Sequence, residues 1–174
     1  GIDTNFKISS EDFNCKCSPP ENHILKILKK INICDFYGFD LITPNEREAR
    51  FSSGDQDSGI RPLASKLYLQ SGCKTLFLKL GERGMAVCSA GEDPSAPTFS
   101  TIEPFVDNVI DPVGAGDALL AYASLAKFVS GCDISAAIIG IMAASAECER
   151  DGNIPIEPAA VLKKLTNIEM SMRR

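Results

Sequence analysis

Two rhythms of apolar positions run through the 174 residues. Apolar residues three and four apart first appear at Ile24, Leu25, Leu28 and Ile31, after Pro19 and Pro20, and predict a helix there. Residues 39–43 (Phe-Asp-Leu-Ile-Thr) read as a short strand, and Thr43 as N-cap with Pro44 at the first helical position predicts a helix to about residue 51. The Ser-, Gly- and Asp-rich residues 52–59 predict a loop, with a helix following to about Ser71. Residues 74–80 predict a strand, 81–84 a tight turn and 85–89 a returning strand. Gly91, Pro94 and Pro97 predict a loop over 90–98, and residues 105–110 are a further strand candidate. Two long apolar helices are predicted over about 117–129 and 134–148, and a short last helix over roughly 157–166, after Pro155.

Strands alternating with helices point to an α/β layer fold with a largely parallel sheet. The length suits one domain at roughly 100–200 residues each, and no internal repeat or low-complexity segment divides it. In such folds ligands collect beyond the carboxyl ends of strands, where helices begin. The number of predicted strands is small for a complete doubly wound sheet, and the chain starts at Gly1 without an initiator methionine. Both suggest a piece of something longer.

Composition narrows the chemistry. Apolar residues make up 44% and charged residues 24%, an ordinary globular balance. A net charge of −5 with no basic run argues against binding nucleic acid or an anionic membrane surface. No apolar run reaches the roughly 18 residues of a membrane span, and the first residues carry no signal-peptide pattern, so the expected compartment is the cytoplasm. Seven cysteines at irregular spacings fit a reduced thiol set better than a disulfide framework. Cys15 and Cys17 lack a second close pair or a nearby histidine to complete a zinc site. The single histidine, His23, falls on the polar side of its predicted helix and argues against a Ser-His-Asp triad. Carboxylates, lysines, cysteines and backbone dipoles remain to do chemistry.

The segment Asp-Pro-Val-Gly-Ala-Gly-Asp at 111–117 precedes a long apolar helix. Gly114 and Gly116 leave the backbone uncovered, so their amides and that of Ala115 would sit at a helix N-terminus, where the dipole is positive and phosphate binds. Asp117, in the first turn, sets a carboxylate beside that anion hole. Phosphoryl transfer to an alcohol needs this pairing, amides to balance charge on the phosphate and a carboxylate to accept the hydroxyl proton. The plainer reading is a glycine loop with an acidic helix start. Asn45 and Glu48 share one face of a helix start, which suits either a helix opening or a hydrated magnesium ion. Lys79, Gly81, Glu82 and Gly84 belong to a Gly-x-x-Gly turn after a strand.

Together these segments resemble the ribokinase-type carbohydrate kinases. Asp-x-x-Gly-Ala-Gly-Asp before a small, apolar helix is similar to that family's signature, Asn45 and Glu48 to its Asn-x-x-Glu motif, and residues 79–84 to its nucleotide turn. All three occur in the family's order, and the likeness spans roughly residues 39–154. It implies a ribokinase-like three-layer αβα sandwich, of which this chain is the C-terminal, nucleotide-binding and catalytic portion, a single partial domain with residues 1–38 as lead-in. It further implies ATP or ADP with magnesium as ligands, Asp117 as catalytic base, and Gly114, Ala115 and Gly116 as anion hole. Asn45, Glu48, Lys79, Gly81, Glu82, Gly84 and Gly116 would meet the nucleotide, Glu48 reaching magnesium through water. Asp111 matches an aspartate that helps bind potassium in potassium-dependent members, although Pro112 and Val113 stand where many members have two threonines. The segment after the second long helix, through Gly152, lies where the family places adenine and cation contacts. Residues 42–50, 54–59, 78–84 and 113–125 look closest to one branch, the heptose-7-phosphate kinase domain of bacterial ADP-heptose synthases.

The family's sugar-binding aspartate, Gly-Gly segment and β lid have no counterpart in residues 1–38. The expected activity is therefore ATP-dependent phosphotransfer to a sugar or sugar-phosphate hydroxyl, incomplete in this chain alone. An open sheet edge and an uncovered apolar face would favour association with the missing N-terminal half or with a second copy as a homodimer. A kinase for a nucleoside- or vitamin-type alcohol and a non-catalytic nucleotide-binding module are the alternatives.

Overall fold

The computed structural model describes residues 27–28, 37–93, 96–106, 108–152 and 154–172. Cys15, Cys17, His23, Cys34 and most of the helix expected around Ile24–Ile31 lie outside them. Among the described residues, five strands form one sheet in sequential order: β1 (Ile27–Leu28), β2 (Leu41–Ile42), β3 (Thr75–Lys79), β4 (Met85–Asp93) and β5 (Ala96–Ile102). β1, β2 and β3 run parallel, and β4 and β5 are antiparallel additions, so the sheet is mixed and not largely parallel. Two helices, α1 (Glu46–Ser53) and α2 (Ile60–Ser71), connect β2 to β3 as a parallel crossover requires. α3 (Ala115–Ser130), α4 (Asp133–Cys148) and α5 (Pro158–Met172) follow the sheet.

The period-two alternation of the strands sorts their side chains into two cores. Leu41, Phe77, Met85 and Val87 face α3, α4 and α5, while Ile42, Leu76, Leu78, Ala86 and Cys88 face α1 and α2. Helices on both faces of one sheet make the expected three-layer ribokinase-like sandwich. β3 is buried on both faces, which is why it reads as an unbroken apolar run. α3 and α4 pack against each other at Gly140, where a Cβ would lie 2.8 Å from Ala123 Cβ and 3.1 Å from the Leu119 carbonyl oxygen.

Several expectations need correction. Ile27 and Leu28 pair with Leu41 and Ile42 as a strand, not as part of a helix, since a short apolar run suits either period. The N-cap of α1 is Asn45 and not Thr43, because only the Asn45 side chain reaches the Glu48 amide. The described residues of 90–98 are not a loop but continue the paired strands β4, to Asp93, and β5, from Ala96. Gly91 admits the facing strand so closely that a Cβ would lie 2.3 Å from the Ala96 carbonyl oxygen, and Pro97 is tolerated because β5 is an edge strand. The described residues of 105–110 form no strand; the strand paired with β4 is Ala96–Ile102. α5 runs to Met172, well past the expected end, because Leu165 and Ile168 continue its apolar face onto the core.

Candidate functional site

The glycine turn follows β3 directly. Its backbone closes on itself: the Leu80 amide donates to the Gly84 carbonyl at 2.9 Å and the Gly84 amide to the Gly81 carbonyl at 3.0 Å. Gly84 has φ 78° and ψ −129°, a conformation open only to glycine, and a Cβ there would lie 2.1 Å from the Ile102 carbonyl oxygen. The turn is thus pressed against the end of β5. Lys79 is fixed from the other side, its amide donating to the Pro44 carbonyl at 2.9 Å.

The second glycine segment shapes the start of α3. Gly114 is the N-cap, at φ 88° and ψ −23°. Asp111 turns the chain toward it by accepting the Val113 amide on Oδ1 at 2.9 Å. The Ala115 amide leans on the Pro112 carbonyl at 3.4 Å, a long contact, so it is less open to an anion than a bare helix start would be. Gly114's carbonyl accepts from both Asp117 (2.8 Å) and Ala118 (3.0 Å), which commits residues 114–118 to helical geometry. Asp117 is exposed in the first turn. The approach to this turn is anchored to α4, since the Cys148 carbonyl accepts the amides of Ile110 (2.7 Å) and Asp111 (3.1 Å).

The two segments meet at one cavity of about 470 Å3. Lys79, Gly81, Glu82 and Gly84 line one side, Ala115 and Gly116 another, and Val106, Val109, Leu119 and Ile141 make an apolar wall. Asn45 and Glu48 lie apart from it, in an open depression with Glu46, Arg47 and Arg50. Their side chains form a capping box: Asn45 Oδ1 accepts the Glu48 amide at 2.8 Å, and Glu48 Oε2 accepts the Asn45 amide at 2.7 Å. A backbone bridge between Asn45 and Lys79 joins depression to cavity, and an ion pair between Glu46 and Arg83 of the glycine turn joins them again. Gly114, Asp117 and Asp111 are not among the cavity-lining residues and sit beside it at the head of α3.

Charge at the site is organised by local partners. The Arg50 side chain bonds Glu46 and holds its carboxyl below the usual range, with Arg83 adding to the effect. Burial pushes the Cys148 thiol up, and the acidic Glu147, Glu149 and Asp111 nearby push it further. Among the described residues no cluster of three His, Cys, Asp or Glu side chains could hold a metal, and no helix is long and apolar enough to cross a membrane.

Sequence reasoning missed several lining residues: Met85, Pro104, Val106, Val109 and Ile141. Within the small-residue run at 143–146 of α4, Ala144 and Ser145 line the cavity while Ala143 and Ala146 pack in the core. Nothing in the local pattern could have picked out Pro104 or Val106, whose place depends on how the chain leaves β5.

Known proteins share this architecture. The model of the pfkB family of carbohydrate kinases matches residues 25–160. Bifunctional protein HldE of Desulfatibacillum aliphaticivorans is 28% identical over 141 residues, 79% of this chain but 28% of that protein. A ribokinase of Thermotoga maritima superposes with a TM-score of 0.64 at 26% identity, covering 74% of this chain and 43% of that one. Arabidopsis thaliana ribokinase, complexed with ribose and ATP, gives a TM-score of 0.61 at 26% identity, with 73% and 41% covered. The chain therefore spans less than half the length of each of these relatives. A family model that matches most of the chain, on a fold shared with two ribokinases, places this protein in the pfkB family of carbohydrate kinases.

Proposed function

We propose that this chain supplies the nucleotide-binding and base-bearing part of an ATP-dependent sugar kinase, the acceptor site being built mainly by residues beyond these 174. The observation that carries this reading is the convergence of the glycine turn and the head of α3 on one 470 Å3 cavity. Its apolar wall suits a nucleobase, its glycines let backbone approach ribose and phosphate, and the α3 N-terminus presents a positive dipole. The amides of Gly114, Ala115 and Gly116 stabilise charge on the transferring phosphate, while Asp117 takes the proton from the sugar hydroxyl. Lys79, Gly81, Glu82 and Gly84 position the nucleotide.

Magnesium fits a sparse donor set because it keeps most of its water. Glu48 would hold it through water beside Asn45, and when bound the ion neutralises phosphate charge. Asp111, at the turn into α3, is the proposed side-chain contribution to a potassium site. The likeness of residues 42–50, 54–59, 78–84 and 113–125 to the heptose-7-phosphate kinase branch makes a heptose phosphate the proposed acceptor. The cytoplasm is the proposed compartment, the missing half of the kinase and a second copy the proposed partners.

Calorimetric titration with ADP and magnesium tests the reading. Saturable binding that Gly114→Val weakens is the expected result; a folded sample that binds no nucleotide overturns it. In a kinase of full family length carrying this segment, Asp117→Asn should cost about 10²–10⁴ in kcat and leave ADP affinity unchanged. Retained turnover removes Asp117 from the role of base. Steady ADP production by these 174 residues alone, given ATP and a sugar phosphate, contradicts the proposed division of the site.

A further inference from the structure

We propose that Lys164 on α5 is a positioning residue that ties two walls of the nucleotide cavity together; the proposal rests on the nucleotide reading of that cavity. The Lys164 side chain is 14% exposed. Its ammonium donates to the Phe105 carbonyl at 2.8 Å and to Glu149 Oε1 at 2.7 Å. Both partners sit next to the cavity in sequence. Phe105 lies between Pro104 and Val106, which line it, and Glu149 follows Cys148, which lines it too. The Cys148 carbonyl in turn holds the amides of Ile110 and Asp111, the approach to Gly114.

One cation therefore pins the segment leaving β5, the end of α4 and, through α4, the entry to α3. Residues 103–106 belong to no strand or helix, so their position depends on such cross-links. A charge-assisted bond from a largely buried ammonium is well suited to the task, because its donors are costly to leave unmet and it resists displacement. Removing the ammonium releases Phe105 and loosens Pro104 and Val106, which widens the apolar wall without deleting any group that would touch nucleotide.

The test pairs ADP titration with hydrogen exchange over residues 103–113, on the 174-residue chain and its variants. Lys164→Met keeps the aliphatic stem and removes the donor. Couplings carried through packed networks run to roughly 3- to 30-fold, and ADP affinity should weaken within that range, with faster exchange at 103–113. Glu149→Gln, which keeps an acceptor oxygen, should shift both in the same direction by less, and it serves if Lys164→Met does not fold. Tyr122→Phe is the control: it removes the 2.6 Å bond to the Ile156 carbonyl, neither partner of which lines the cavity, and should lower stability without changing either readout. Wild-type exchange and affinity in Lys164→Met, or an equal shift in Tyr122→Phe, overturns the proposal. If the wild type binds no ADP, the nucleotide reading fails by itself. Exchange at 103–113 in Lys164→Met then decides the tie: faster exchange supports it, unchanged exchange overturns it.

Discussion

Gly81 and Gly84 bracket the same turn, yet substitution at the two should have very different consequences. Gly81 has φ 62°, and a Cβ there meets nothing within 4 Å. Gly81→Ala should therefore cost only the left-handed backbone penalty, about 1–2 kcal/mol. Gly84 combines φ 78° and ψ −129° with a Cβ position 2.1 Å from the Ile102 carbonyl oxygen and 3.0 Å from Glu103 Cα. The conformation itself costs of order 1–3 kcal/mol for a non-glycine residue. The clash is with backbone, so the turn and the end of β5 must separate by roughly 1 Å, an overpacking penalty of about 1–3 kcal/mol. Gly84→Ala should then lose about 2–6 kcal/mol, a Tm fall on the order of 4–24 °C in a chain of this size. It should also weaken ADP binding, because the displaced turn borders the cavity. Urea denaturation followed by circular dichroism, with ADP titration of both variants, measures the difference. A Gly84→Ala variant as stable as Gly81→Ala would refute the argument that the turn is held against β5.

Two further outcomes follow from charge and burial. The Arg50 bond lowers the Glu46 pKa below its ordinary 4.5, so its contribution to stability is complete above that pH and is lost as pH falls through the lower folded value. Glu46→Gln should lower the urea midpoint at pH 7, and the gap to wild type should shrink below pH 4.5; a pH-independent gap refutes the ion-pair account. Burial raises the thiols of Cys73 and Cys88 to about 11 and about 12, so both should resist alkylation at pH 8 in the folded chain. Cys148, half-buried on the cavity wall, should label faster than either and be protected by ADP, as read by peptide mass spectrometry. Labelling of Cys148 that ignores saturating ADP would place the nucleotide elsewhere.

How far the sequence reveals this molecule depends on the range over which each feature is decided. α1, α2 and α3 end close to where the sequence predicts, because Gly54, Gly72 and Gly131 supply local left-handed stops. The glycine turn and the head of α3 are likewise local devices and are readable as such. The far reach of β4 and β5 is not, since Pro97 reads as a breaker until β5 is known to be an edge. Asn45 and Glu48 show a different difficulty. Their spacing fits both a magnesium site and a capping box, and the structure contains the box, which leaves the magnesium role to experiment. Lys164 lies outside any pattern because its partners are 59 and 15 residues away in sequence.

The close contact at Gly140 has a mechanical consequence. With Ala123 and the Leu119 backbone seated against a residue that has no side chain, α3 and α4 cannot slide or spread without opening a void in the core. The glycine head of α3 and the α4 wall that carries Ile141, Ala144 and Ser145 therefore travel as one stiff block. Any tightening of the cavity around a ligand must come from the opposite jaw, the turn between β3 and β4.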